Sequence, residues 1–341
     1  MTATQRRTFL AASGAMAMAA AIGRPAAAAE ATKIRIGVLK LSSSAPVFIA
    51  FDKGYFKDHG LDAELKFFDA AQPVAVAAAA GDIDFGVTAF TAGLFNVAGK
   101  GAITVVAGQS REHPGYPLIG YFATAKAYEA GLKTPADFAG KSVAITQTGS
   151  SFHYSLGLLA DKDHFALSSV RLLPLQSLAN IASALKGNRV DGALLPVTVA
   201  LPLMAAGDIR LLGWVGDETP WQLGAVFVSR ATMQQRDVVT RFLAAYRQGT
   251  RDYHDVLLAS VKDGRAPLNA QTTPLIDIIT HYTHLKPEQA VVGLSYIDRD
   301  GKLDVADVAH QIAWYQANHF VDPGVTVQKV VDTSFGFAAQ S

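Results

Sequence analysis

The sequence predicts an α/β protein of two lobes, each a mostly parallel β-sheet flanked by helices. Residues 34–108 alternate apolar strands and helical runs in the order β-α-β-α-β, a spacing that requires parallel strands with helical crossovers. The turn at residues 81–86 has an echo at residues 187–193, as two similar lobes would produce. A chain of 341 residues is also longer than a single hydrophobic core normally requires.

The first lobe is predicted to begin with a strand at residues 34–39, followed by three serines and a helix that starts near Pro46. Hydroxyl residues before such a proline are typical of a helix N-terminus, where free N–H groups and the positive dipole end attract anions. Further elements expected here are a strand at 63–68, a helix at 73–80 and strands after Gly81 and at 102–107. Ligands of such sheets bind beyond the carboxyl ends of the strands.

Two stretches are expected to carry the chain between the lobes. Pro114 and Gly115 interrupt the pattern after the fourth strand and indicate the first crossing. The second lobe then repeats the arrangement, with a strand at 142–145 that leads through hydroxyl residues into a helix. A strand at 225–230 returns the chain, and a mostly helical tail is expected to pack on lobe one. The predicted domains are a discontinuous lobe one (33–112 and 226–341) and lobe two (113–225).

Residues 1–29 are predicted to be a cleaved export signal. Arg6 and Arg7, followed by Phe9 and Leu10, are similar to a twin-arginine signal, and small residues at 27–29 offer a cleavage site. Gln5 stands where such signals usually have Ser or Thr, so the ordinary secretory route stays open. The apolar run that follows is short for a membrane span.

The composition disfavours several classes of function. The chain has no cysteine, which excludes a lipobox, disulfides, thiolate catalysis and cysteine-based metal sites. Without Arg6, Arg7 and Arg24, the 30 basic residues fall to 27 against 29 acidic ones, a net charge of −2 that argues against nucleic-acid binding. We therefore expect a soluble periplasmic monomer without a lipid anchor.

No catalytic residue, cofactor or metal is expected. Residues 298–304 look like a calcium loop, but Tyr296 and Asp307 would occupy its first and twelfth positions, and both are wrong for an EF-hand. His281 and His284 lie three apart on a predicted helix without a third ligand in evident spacing.

The stretches at 34–37, 49–56, 60–62 and 81–86 resemble, in order and spacing, the N-terminal lobe of the solute-binding proteins of ABC importers. The most similar group serves alkanesulfonates, taurine, nitrate and thiamine-pyrimidine precursors, and the resemblance extends from residue 33 to about residue 335. It implies a type II periplasmic binding protein with two interlobe crossings. Such a protein captures a small organic anion by hinge closure and delivers it to a permease in the inner membrane.

Candidate ligand contacts lie in the strand-to-helix loops and at the crossings. Hydroxyl and N–H groups can hold a sulfonate, carboxylate, nitrate or phosphate, and aromatic walls favour a ligand with an organic body, including an aromatic one. The alternatives are helix capping for each hydroxyl and core packing for each aromatic ring. The candidates are Ser42, Ser43, Ser44, Thr88, Phe90, Thr91, Gln109, Thr148, Ser150, Ser151, Phe152, His153 and Trp221.

One departure from the family pattern concerns the ligand. Leu195-Pro196 stands where the family often has Glu-Pro, so a ligand contact through that carboxylate is not carried over to this chain. Two other functions stay open: an enzyme on the same fold, and a ligand sensor for a membrane receptor. The enzyme is disfavoured because the related desulfinases and pyrimidine-forming synthases depend on cysteines, and because no Gly-x-Ser-x-Gly elbow is present. Sequence does not separate transport from sensing.

Overall fold

The computed structural model describes residues 30–339, so the predicted export signal at 1–29 lies outside the described residues. Two five-stranded sheets dominate this part of the chain. Among residues 30–339, no helix combines the length and the apolar character that a membrane crossing requires.

The first sheet is formed by strands that lie before and after the second sheet in the sequence. Its strands are β1 (Thr32–Leu39), β2 (Leu61–Phe68), β3 (Phe85–Ala89), β4 (Ile103–Gly108) and, from much later in the sequence, β11 (Gly224–Ser229). They lie in the order β2-β1-β3-β11-β4. The return of the chain to the first sheet near residue 225 is as the sequence predicts.

The second sheet uses only the middle of the chain. Its strands are β6 (Ile119–Thr124), β7 (Ser142–Ile145), β8 (Arg171–Pro174), β9 (Gly192–Pro196) and β10 (Ile209–Trp214), in the order β10-β6-β9-β7-β8. A separate two-stranded ribbon pairs β5 (Ser110–Arg111) with β12 (Tyr296–Ile297). The predicted lobe boundaries at 112/113 and 225/226 stay a prediction.

In each sheet one strand of five runs opposite to the others. This strand is β11 in the first sheet, antiparallel to β3 and β4, and β6 in the second, antiparallel to β9 and β10. Both are the strands by which the chain enters a sheet from the other sheet. They enter at the edge where the parallel strands end, so they must run the other way. The fold class of two mostly parallel sheets with two crossings is confirmed.

Helices cover the sheets and connect the strands. They are α1 (Ala45–Asp52), α2 (Tyr55–Asp58), α3 (Ala71–Ala80), α4 (Ala92–Gly99), α5 (Ala125–Glu129), α6 (Ser151–Lys162), α7 (Leu178–Lys186), α8 (Val197–Ala205), α9 (Val215–Glu218), α10 (Arg230–Met233), α11 (Arg236–Asp252), α12 (Thr273–Thr283), α13 (Pro287–Ala290), α14 (Val305–Ala317) and α15 (Val327–Val330). Helix α11 ends at Asp252, and the chain continues as a π turn over Tyr253–Leu257.

The echoed turns make equivalent contacts in the two sheets. The Asp84 carboxylate accepts a hydrogen bond of 2.7 Å from the Arg35 N–H in β1, and the Asp191 carboxylate accepts one of 2.7 Å from the Ser142 N–H in β7. Each aspartate also donates its own N–H to the carbonyl of the same strand residue, at 2.9 Å. The similar turn sequences therefore tie the start of one parallel strand to its neighbour in both sheets.

Candidate functional site

A cavity of about 70 Å³ lies where the two sheets face each other. Residues at the ends of β1, β2, β3 and β4 line it from the first sheet, and residues at the ends of β7 and β9 line it from the second. The cavity thus occupies the position that the strand-end rule predicts for a ligand. The predicted ligand residues that line it are Ser42, Ser43, Ser44, Thr88, Gln109, Ser151 and Phe152.

The three serines after β1 differ in what their polar atoms do. The Ser42 hydroxyl donates to the Gly293 carbonyl, and the Ser43 carbonyl accepts a 2.7 Å hydrogen bond from the Gln109 side-chain amide. Ser44 is only 1% exposed, and its hydroxyl has no hydrogen-bond partner among residues 30–339. A buried hydroxyl without a partner is unfavourable, so Ser44 is suited to a ligand that supplies the missing partner.

The second sheet contributes a helix N-terminus and apolar walls. Ser151 and Phe152 are the first residues of α6, and Thr146 follows the end of β7. Leu178 and Pro196 add apolar surface at the starts of α7 and α8. The lining is therefore mainly apolar, with neutral hydroxyl and amide groups placed within it.

The other six candidate residues do not line this cavity, and their contact with a ligand stays a prediction. Phe90 is buried and stacks on Phe95 with ring centroids 5.1 Å apart, and Thr148 is exposed. Two hydroxyls are helix caps: Thr91 accepts from the Leu94 N–H, and Ser150 accepts from the His153 N–H. The remaining two, His153 and Trp221, pack among aromatic rings.

The imidazole of His153 has a structural role. Its Nδ1 accepts a 3.1 Å hydrogen bond from the Gly149 N–H, and burial lowers the pKa of His153 to about 4. The ring is therefore neutral at physiological pH and brings no positive charge toward the cavity.

Positive electrostatic potential at the cavity comes from backbone N–H groups rather than from basic side chains. The ionisable lining residue is Asp69, an exposed carboxylate, and within residues 30–339 no Lys, Arg or His lines the cavity. The helices α1 and α3 both begin there without a side-chain cap, which leaves first-turn N–H groups available. These N–H groups and dipole ends can hold a singly charged head group.

Several lining residues were not among the candidates. Leu39, Leu41 and Leu223 are apolar residues next to strand ends, and Ala70 and Ala71 are the small residues that open α3. Asp69 could have been found, because it directly follows the second predicted strand. The leucines carry no local signal, since a leucine next to a strand end usually belongs to the core.

The crossings meet at a buried carboxyl group. We define the first crossing as residues 109–118 and the second as residues 215–223. Glu112 in the first pairs with Trp221 in the second through backbone hydrogen bonds of 2.9 and 3.2 Å. The Glu112 side chain is 1% exposed, and among residues 30–339 neither carboxyl oxygen has a hydrogen-bond partner of normal geometry. Burial raises the pKa of Glu112 well above its usual value, although the backbone N–H groups of Ile119 and Gly216 lower it, and the nearby Asp217 adds a smaller increase.

Glu112→Gln is expected to remove a pH dependence of stability. A carboxyl whose folded-state pKa is raised stabilises the fold below its unfolded pKa and loses that effect as the pH rises toward the folded pKa. The loss is at most about 1.4 kcal/mol per pH unit. Urea denaturation of both proteins from pH 4 to pH 8 measures it. The advantage of the Gln variant should grow with pH; a constant difference would show that Glu112 does not titrate this way.

The comparison with known proteins identifies the family. Residues 42–255 match the NMT1/THI5-like family. The chain belongs to this family. A Brucella abortus (strain 2308) protein, named only as a candidate binding protein, is 27% identical over 190 residues, which are 55% of this chain and 54% of that protein. This member of the family thus spans about half the length of the curated relatives it matches.

Solved structures show the same fold. The alkanesulfonate-binding protein SsuA from Xanthomonas axonopodis pv. citri, bound to MOPS, matches with a TM-score of 0.69 and 20% identity over 89% of this chain and 99% of its own. The periplasmic nitrate-binding protein NrtA from Synechocystis PCC 6803 matches with a TM-score of 0.67 and 14% identity over 90% and 88%. The two-lobed fold of periplasmic binding proteins predicted from the sequence is therefore confirmed.

Proposed function

We propose that this NMT1/THI5-like protein is the periplasmic solute-binding component of an ABC importer and captures a small organic anion in the cavity between its lobes. The observation that carries the proposal is Ser44, a cavity-lining residue whose buried hydroxyl has no hydrogen-bond partner among residues 30–339. Names of similar proteins support the ligand class, since one structure is an alkanesulfonate-binding protein and another a nitrate-binding protein.

The lining favours an anion with an organic body. Its head group lies against Ser43, Ser44 and the N-terminus of α3, where hydroxyl and N–H donors stabilise one negative charge without a basic residue. Its body contacts Leu178, Phe152 and other apolar residues. A volume of about 70 Å³ holds several water molecules, so the enclosed part of the ligand is small.

Closure around this ligand is the proposed mechanism. The ligand contacts residues of both sheets, so it binds the closed state better and shifts the population toward it. The Ala92 N–H already donates a 2.9 Å hydrogen bond to the Gly149 carbonyl across the cleft. No bond of the ligand is broken, and the closed monomer presents both lobes to an inner-membrane permease.

A thermal-shift screen of the protein from Glu30 onward tests the function. The panel contains short alkanesulfonates, taurine, nitrate, aromatic acids and pyrimidines. A ligand at one hundred times its dissociation constant adds about 2.7 kcal/mol to the free energy of unfolding. We expect a shift with one class of organic anion; no shift with any anion would overturn the proposed ligand class.

Ser44→Ala separates a ligand contact from a structural contact. Removing the hydroxyl should weaken ligand binding about tenfold, or about 1.4 kcal/mol, because one hydrogen bond is lost. The free protein should be as stable as the parent or more stable, since the variant removes a buried hydroxyl that has no partner among residues 30–339. Calorimetric titration and urea denaturation measure the two effects.

The control for this experiment is Ser42→Ala. Ser42 donates its hydroxyl to the Gly293 carbonyl, so its removal should reduce stability by about 1 kcal/mol. Equal losses of stability in both variants, with unchanged affinity, would assign Ser44 a structural role.

A further inference from the structure

Helix α14 in the C-terminal tail contacts both the crossings and the cavity-lining helix α6. The sequence predicts that the tail packs on lobe one, and α14 does contact α4 there, with Phe95 and Tyr315 ring centroids 5.8 Å apart. Its two turns nearest the C-terminus also reach α6 of the second sheet, which the sequence does not predict. Helix α14, which lies outside the cavity, therefore joins α4, the crossings and α6. Separation of the lobes must move these elements relative to one another.

At its N-terminal half, α14 holds the second crossing. The Asp307 carboxylate accepts a 2.6 Å hydrogen bond from the Gln222 N–H, and the Gln311 side-chain amide donates to the Gln222 carbonyl at 2.8 Å. The Gln222 side chain in turn donates to the Ser110 carbonyl of the first crossing at 3.2 Å. Gln222 and Gln311 are fully buried, so this network fixes both crossings to α14.

At its C-terminal half, α14 holds the start of α6. The Tyr315 hydroxyl donates to the Ser150 carbonyl at 3.1 Å, and the Trp314 ring lies edge-on to Tyr154 with centroids 5.2 Å apart. A Cβ added at Gly157 would lie 2.0 Å from the Trp314 ring, so the glycine lets the indole lie directly on the α6 backbone. Tyr315 is fully buried in this contact.

The position held by Tyr315 matters for the ligand. Ser150 caps α6, and the next two residues, Ser151 and Phe152, line the cavity. A displacement of the first turn of α6 would therefore move both lining residues. The distance along the chain between Tyr315 and Ser150 is 165 residues, so this coupling exists only in the folded protein.

We propose that Tyr315 and Trp314 form a closure contact: through it, α14 holds the N-terminus of α6 over the cavity and favours the closed arrangement of the lobes before ligand binds. Tyr315 is a positioning residue, because it touches α6 rather than the ligand. The effect on affinity rests on the proposed ligand-binding function; the effect on lobe separation does not. The closed state with the contact competes with an open state in which the contact is broken.

Spin-label distances in the ligand-free protein test this closure contact. The chain has no cysteine, so Val76→Cys on α3 and Ser183→Cys on α7 place two labels at exposed positions, one on each lobe. We compare the distance distribution of this parent with those of Tyr315→Phe and Trp314→Ala. Both variants should show a larger population at long distance. Trp314→Ala should show more of it, because it removes the whole indole contact with Tyr154 and Gly157, whereas Tyr315→Phe removes one hydroxyl.

A matched control removes the same kind of hydrogen bond, from a buried tyrosine hydroxyl to a backbone carbonyl, at another place in the fold. Tyr253 is also fully buried and donates its hydroxyl to a backbone carbonyl, that of Ser295, at 2.9 Å. Tyr253→Phe should lower stability to a similar extent without changing the label distances. If the control changes the label distances as much as Tyr315→Phe does, general destabilisation explains the effect and the proposal is overturned. Unchanged distances in both α14 variants would also overturn it.

Affinity provides the second measurement. With ethanesulfonate, or another anion of the screen that shifts the parent, Tyr315→Phe should bind about fivefold more weakly and Tyr253→Phe as the parent does. If no anion shifts the parent, the proposed function fails while the distances still decide the closure contact. Unchanged affinity together with changed distances would also overturn the positioning role.

Discussion

Ala89→Trp is expected to abolish ligand binding, with a loss of more than about 100-fold, or about 2.7 kcal/mol. Ala89 ends β3, is half-buried and lines the cavity. An indole at this position would fill the space that the ligand needs and block the approach of the second sheet. Because the side chain is not fully buried, the cost of overpacking should stay near the low end of about 1–3 kcal/mol. Calorimetric titration with the ligand identified by thermal shift measures the affinity.

The matched control is Ala80→Trp, at the exposed C-terminal end of α3, far along the helix from the cavity. This variant carries the same substitution and should bind like the parent. If Ala89→Trp also binds like the parent, the ligand does not occupy the cavity between the sheets. That result would remove the basis of the proposed function, whereas the fold and the family would stand.

Phe242→Ala is expected to lower the free energy of unfolding by about 3–5 kcal/mol. Phe242 lies on α11, is fully buried and stacks on Phe85 of β3 with ring centroids 3.8 Å apart. It also stacks on Phe56 at 5.3 Å. The ring thus attaches a helix from after the second sheet to β3 and α2 from before it, and its loss leaves a cavity in the core of the first lobe.

Urea denaturation measures this loss as a lower midpoint with an unchanged slope. Phe51→Ala is a suitable control, because Phe51 lies on α1 with 36% of its surface exposed. The control should cost clearly less than Phe242→Ala. Equal costs for the two substitutions would contradict the proposed role of Phe242 in holding α11 to the first sheet.

Local patterns were sufficient for most of the fold. Apolar runs, glycine turns and the Pro46 helix start placed the strands and helices within a few residues of their observed ends. The strand-end rule placed the cavity, because the carboxyl ends of parallel strands always meet at one edge of a sheet. The tail was harder, since a helix pattern does not state which neighbours the helix contacts, and the α14–α6 contact was missed.

It was harder to predict which candidate residues line the cavity than to predict where the helices and strands lie. Ser44 and Ser150 occupy the same kind of strand-to-helix loop, yet the Ser150 hydroxyl caps α6 and the Ser44 hydroxyl has no partner within residues 30–339. A hydroxyl before a helix can cap the helix or contact a ligand. Both serines follow a strand and precede a helix, so the local sequence does not distinguish the two roles. Trp221 likewise became a packing residue of the crossings, since Tyr154 lies edge-on to it at 4.7 Å.

The sequence by itself determined the two-lobed α/β architecture, the family and the edge of each sheet where the cavity lies, because these depend on periodicity, turn residues and strand direction. Only the tertiary structure decided which hydroxyl-bearing residues line the cavity, that Glu112 is buried between the crossings, and that α14 holds α6. These features depend on contacts between residues far apart in the chain. Side-chain direction and burial at such contacts are set by packing, which no local pattern records.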